Sequence, residues 1–161
     1  QWAKALPTAP QQTNQNHSSL LLSLRNFEIQ KYITSARNSQ YHSIYSTLQH
    51  NVEPYFIDGY SVYCISTIFK ARCGLLLLNG RPFHETLRQC TICNLNEEES
   101  TFHLIGRCPI YSNIRFNFLG KRTLTTSEIC EFLNGKDYMQ LYYYLINCLK
   151  YRSLIIAEFS Y

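Results

Sequence analysis

The chain of 161 residues is short of charge, of aspartate and of long apolar runs. Each shortage excludes something. Charged residues make up 16%, well below the usual quarter. The net charge of +4 permits nucleic-acid binding without arguing for it, because such domains often carry a far denser basic stripe. Only two aspartates occur, Asp58 and Asp137, both isolated, and Glu97 to Glu99 form one acidic run. Chemistry that runs on two metal ions about 3.5–4 Å apart needs clustered carboxylates, and these acids offer no way to build such a cluster. No stretch reaches the ~18 apolar residues of a membrane-spanning helix. "LLLL" at 75–78 is too short, and Lys150 and Arg152 interrupt the apolar C-terminal stretch. A basic segment followed by an apolar run is missing at the start, so no secretion signal is expected. No internal repeat is visible. The first residue is Gln1 rather than Met, which leads us to expect a fragment or a processed piece.

The hydrophobic fraction of 45% is ordinary and supports a core. The length suits one domain, or one domain with a small satellite. Thirteen tyrosines include a cluster at Tyr142, Tyr143 and Tyr144; a ring with a polar tip suits core, rim or contact surface. From Lys70 to Arg122 the basic residues Arg72, Arg81, Arg88, Arg107, Arg115 and Lys121 face the acids Glu85 and Glu97 to Glu99. That half leans basic, and a solvated face is the default reading.

Four parts are expected. Residues 1–19, with "PTAPQQTNQNHSS", read as a linker or the tail of an upstream domain, partly disordered. In 20–78 apolar residues recur at three and four from Leu24 and Phe27 to Ile44 and Leu48, which predicts one or two helices. Within it, "GYSVYCISTIFKARCG" reads as a helix ending at Gly74, with a strand pair as the competing reading. Residues 79–120 hold the cysteine segment and then a short helix with Ile110, Ile114 and Phe118 at spacing four, closed by Gly120. Residues 121–161 are C-terminal helices. Thr125 and Glu128 stand at capping-box spacing, Asn134-Gly135 is a stop, and Tyr138, Leu141, Leu145 and Leu149 share one face. The fold class is therefore mainly α, a small helical domain with an embedded Cys3His zinc-stabilised loop-helix unit.

That unit rests on "CTICNLNEEESTFHLIGRCP". Its spacing is Cys90-x2-Cys93-x9-His103-x4-Cys108. Two thiolates on a Cys-x-x-Cys turn aim at one point, and a second pair beyond a loop completes a tetrahedron that suits Zn2+. Four protein ligands leave no open position, so the site is structural. Such an ion contributes about 10–16 kcal/mol to folding, help that a unit this small needs. A redox pair belongs near a βαβ pattern that this chain lacks. A nucleophilic Cys108 with His103 as base lacks a third group to orient the ring. The deaminase signature fails, since Glu85 directly follows His84 and Gln89 precedes Cys90. Cys73 or His84 could replace one ligand. With no secretion signal a reducing compartment is favoured, so Cys64, Cys73, Cys130 and Cys148 are expected to be buried free thiols.

The flanks narrow the reading. "KARCGLLLLNGRPF" and "RQCTICNLNEEESTFHLIGRCPIYSNIRFNFLG" together resemble the C-terminal segment of non-LTR (LINE-like, jockey-type) retrotransposon reverse transcriptases. The resemblance is carried by Arg72, Gly74, Cys90, Cys93, Glu97 to Glu99, His103, Cys108, Pro109, Tyr111 and Arg115. It extends over about 37–155 and is specific over 70–120; Cys73 departs from the small or hydroxyl residue usual there. The resemblance implies a zinc-binding accessory region downstream of the polymerase, and in some elements of an RNase H domain. It would hold element RNA or target DNA in an intracellular ribonucleoprotein, in nucleus and cytoplasm. Clustered catalytic carboxylates are absent from this chain, so we expect no enzyme. Phosphate contacts would come from Arg88, Arg107, Arg115, Lys121 and Arg122, with Tyr111 and Phe102 as stacking candidates or, more simply, as core. The alternative is a zinc-stabilised protein-interaction domain, or a relic fragment of a mobile element, using the tyrosine-rich C-terminal helix.

Overall fold

The computed structural model describes residues 13–39, 44, 47–48, 59–80 and 88–159. The chain divides into two compact units, Gln1–Ser35 and Ala36–Tyr161. The divisions expected at 78/79 and 120/121 fall inside the second. His84, Arg81 and Asp58 lie outside the described residues, as does most of "RNSQYHSIY".

Helix α1 (Thr13–Arg37) begins within the segment expected to be a linker. No proline stands between Pro10 and Pro54, and Gln, Asn and Ser cost a helix only a few tenths of a kcal/mol each, ~0.7 at most. Among its described side chains none is buried: Leu24 and Phe27, expected on an apolar face, are exposed.

In the second unit, α2 (Val62–Arg72) is capped by Ser61, whose side chain accepts from the Cys64 amide at 3.2 Å. It ends at Cys73, followed by Gly74 at φ +67°. Of the two readings of this stretch, the helix is the one observed. Further on come α3 (Ser112–Leu119), α4 (Thr126–Leu133) and α5 (Tyr138–Phe159). Gly120 closes α3 at φ +76°, a left-handed position that a side chain would strain. The Thr125–Glu128 capping box forms in full, each side chain meeting the other's backbone amide. Asp137 opens α5 by accepting from the Gln140 amide at 2.9 Å. Among the described residues there is no strand, only one isolated bridge, Gln89 to Glu98.

Helix α5 is the spine, packing on α2, α3 and α4. Tyr138, Leu141 and Leu145 are buried along it as expected, joined by Tyr144 and Cys148, while Leu149 is only partly covered. On α3 the buried row differs from the expected one. Ile110 is exposed and Ile114 and Phe118 are half-buried, whereas Tyr111, Arg115 and Leu119 are buried. A pattern of apolar residues scores Arg115 as solvent-facing; it cannot see the carbonyl groups that receive the guanidinium. Cys64, Cys73 and Cys148 are buried free thiols and Cys130 is half-buried. Burial raises the Cys64 and Cys73 thiols and pushes Cys148 up to about 12. No described helix is long and apolar enough to cross a membrane.

Candidate metal centre

Cys90 and Cys93 sit on a tight turn closed by a short antiparallel pairing. The Cys90 amide donates to the Glu97 carbonyl at 2.9 Å, and the Glu99 amide to the Arg88 carbonyl at 2.8 Å. The turn needs one left-handed residue, and Asn96 supplies it at φ +54°; asparagine tolerates that region better than most residues. The acidic run Glu97 to Glu99 thus forms the returning arm of the turn.

His103 and Cys108 come from the other side, on one turn of π-helix, His103–Arg107. In an α-helix, residues five apart stand about 140° from one another around the axis. Here the Cys108 amide donates to the His103 carbonyl at 2.8 Å, the i→i+5 bond that defines the π form and brings those positions into register. Pro109 then ends the turn. A residue before proline is kept out of the α region, and Cys108 accordingly takes φ −54°, ψ 120° as a 3-10 turn, Pro109–Tyr111, begins.

Backbone carbonyls freed by this irregular turn are collected by one side chain. Arg115, fully buried, donates to the carbonyls of Leu104, Ile105 and Cys108 within the turn and to that of Arg122 beyond α3. The Tyr144 hydroxyl donates to the Leu104 carbonyl as well, at 2.6 Å. Arg72 is equally buried and donates to the Leu133 carbonyl at the end of α4, where orphan carbonyls carry partial negative charge. A Cβ at Gly106 would stand 2.5 Å from Ile129 Cδ1 and 3.0 Å from the Leu124 carbonyl oxygen, so a larger residue there would have to push Ile129 aside.

The four residues converge. One ligand atom from each of Cys90, Cys93, His103 and Cys108 lies within 4.8 Å of the other three, and all four side chains are buried. Cys93 Sγ and His103 Nε2 are 3.4 Å apart. A tetrahedral ion of zinc's size, with bonds near ~2.3 Å to sulfur, has edges of about 3.8 Å, so the cluster is close to the geometry an ion would complete. Neither Cys73 nor any other described residue joins it. Hydrogen bonding from Cys108, helped by His103, holds the Cys90 thiol down at about 3. The same interaction raises Cys108, and burial raises Cys93. At His103 burial works downward, but its bonds to Cys90 and Glu97 outweigh it and the net shift is upward. A divalent cation held by these four residues would favour the ionised form of all three thiols.

The three glutamates have three separate partners. Glu97 meets His103 Nδ1 at 3.0 Å and Arg107 at 3.6 Å, so the group orienting the His103 ring, expected to be lacking, is present. Glu98 pairs with Arg88 at 2.6 Å on the surface. Glu99, 1% exposed, takes two bonds of 2.7 Å from Arg152 on α5 and one of 2.8 Å from the Asn79 amide. Sequence reasoning missed this fastening of the cysteine turn to α5, because residues 99 and 152 share no periodicity.

Of the expected phosphate-contacting residues, Arg88, Arg107, Lys121 and Arg122 are exposed. Lys121 pairs with Glu128 and Arg122 donates to Asn113 at 2.7 Å. Arg115 is corrected: it is core, with its donors committed to carbonyls, and it reaches no phosphate. Tyr111 is 1% exposed and Phe102 half-buried, so the core reading holds for Tyr111. Compared with known proteins, the chain matches no family model, no curated protein and no solved structure.

Proposed function

We propose that this chain is a non-catalytic, zinc-binding accessory region of a non-LTR retrotransposon reverse transcriptase, and that it binds RNA or DNA. The observation that carries the reading is the buried cluster of Cys90, Cys93, His103 and Cys108. Three sulfurs and one imidazole nitrogen favour zinc, and four protein ligands make the ion structural. Two further residues that carry the resemblance, Tyr111 and Arg115, are buried against the same turn. Of the five cations expected at phosphates, Arg88, Arg107, Lys121 and Arg122 are exposed. Three of them already face carboxylates, but exposed ion pairs are worth only about 0–1 kcal/mol, so a phosphate can displace them at little cost.

The test is binding of single-stranded RNA and duplex DNA by the zinc-loaded protein across a salt series. The logarithm of affinity is expected to fall with log salt by about 0.7–0.9 per phosphate contacted, and a combined charge reversal at Arg88 and Arg122 should flatten that slope. Failure to bind either polymer at low salt removes the nucleic-acid part. The second reading, a zinc-stabilised protein-interaction domain, is favoured by the neutralised cations and by Tyr143 and Tyr151, which α5 leaves 46% and 44% exposed. Salt-insensitive association would select it.

A further inference from the structure

Glu97 touches the metal cluster from both of its halves. Its carbonyl oxygen accepts from the amide of Cys90, at 2.9 Å. Its carboxylate reaches across to His103, with Oε2 3.0 Å from Nδ1. The other oxygen, Oε1, lies 3.6 Å from the Arg107 guanidinium, one residue before the last cysteine. Neighbouring acids cannot substitute: Glu98 is turned to Arg88, and Glu99 is consumed by Arg152 and Asn79.

The chemistry of this contact is directional. An ionised carboxylate only accepts, so the imidazole nitrogen facing it must carry the proton. That nitrogen is Nδ1. The lone pair is then on Nε2, the nitrogen 3.4 Å from Cys93 Sγ. A histidine whose other ring nitrogen donates to a carboxylate is locked in tautomer and in ring orientation, and becomes a better donor to a metal. Arg107 completes the arrangement. Three thiolates on one divalent ion leave a net negative charge, to which Glu97 adds another; the guanidinium beside Glu97 offsets it.

We propose that Glu97 is the positioning residue of the metal centre: it selects Nε2 of His103 as the ligating atom and holds the ring on the cluster, with Arg107 steadying the carboxylate. This rests on the reading of Cys90, Cys93, His103 and Cys108 as a metal site.

Two measurements test it. The first is zinc affinity, by competition with a chromophoric chelator, for the wild type, Glu97→Gln, Glu97→Ala and Glu98→Ala. Loss of the carboxylate should weaken zinc binding by about 10–100-fold, most in Glu97→Ala, while Glu98→Ala stays at the wild-type value. The second needs no variant: nitrogen-15 NMR of the zinc-loaded wild type, where His103 should show a metal-bound Nε2 and a protonated, slowly exchanging Nδ1. An Nδ1-bound ring, or unchanged affinity in both Glu97 variants, overturns the proposal. A wild type that takes up no zinc overturns the metal site itself, and this inference with it. A destabilised fold alone would lower affinity without changing which nitrogen binds, so the spectrum separates positioning from a general structural role.

Discussion

His103 and Cys108 stand five residues apart, a spacing that suits no regular α-helix face, and the π turn resolves it. The residue scale is where the site is most exposed to test. We expect Cys90→Ser and His103→Ala each to lower bound metal well below the one ion per chain that a single four-ligand site holds, as read by elemental analysis; full metal content in both would remove the assignment. Protons must leave when an ion enters, because Cys93 and Cys108 keep theirs above the ordinary thiol range. Apparent metal affinity should therefore climb as pH rises and weaken as it falls, and a competition titration that gave no pH dependence would contradict this. The ligand set was legible from spacing alone: Cys-x-x-Cys and a later His and Cys are a chemical pattern, independent of the path between them. Glu97's contact with His103 was not, since three adjacent glutamates look alike until the backbone turns each toward a different partner.

At the scale of elements, the helices were legible where local chemistry decides them. The capping box at Thr125 and Glu128 and the helix stop at Gly120 were predicted from neighbours in sequence and are observed. Thr125→Ala should cost about 1 kcal/mol in denaturant unfolding. Glu128 adds a pH signature. The Lys121 ammonium beside it, helped by the Thr125 amide, holds its carboxyl down at about 2. A carboxyl lowered on folding stabilises above its unfolded value and loses that contribution as pH falls toward the folded one. The difference in stability between wild type and Glu128→Gln should thus be largest at neutral pH, vanish in strong acid, and shrink with added salt. A different kind of link joins α5 to the cysteine turn. Removing Arg152 leaves Glu99 buried and uncompensated, and Arg152→Ala should cost about 3–5 kcal/mol; loss of under 1 kcal/mol in equilibrium unfolding would show the pair to be dispensable. Nothing at the level of periodicity announces such a pair, and the same blindness explains why the buried row of α3 runs through Arg115 rather than Ile114.

For the whole molecule, Ala36–Tyr161 is one compact unit, with the cysteine turn fastened to α5 through Glu99 and the π turn pinned by Arg115. Loss of the proposed ion should therefore be felt beyond the cluster of Cys90, Cys93, His103 and Cys108. Chelation should lower the unfolding midpoint of this unit and loosen amide protection in α3 and α5 as well as in 90–108, as followed by hydrogen exchange. Protection lost only within the turn would mean that the helices stand without it.

The sequence by itself determined the helical class, the helix caps, and the four residues able to hold a metal, because propensity, capping and ligand spacing act over a few residues. Only the tertiary structure decided which acid meets His103, which arginines are core, and how the cysteine turn is tied to α5. Those outcomes depend on pairs such as Glu99 with Arg152, or Arg72 with Leu133, brought together by packing. In a buried setting an unmatched charge is too costly to leave unpaired, so the fold, not the local pattern, selects each partner.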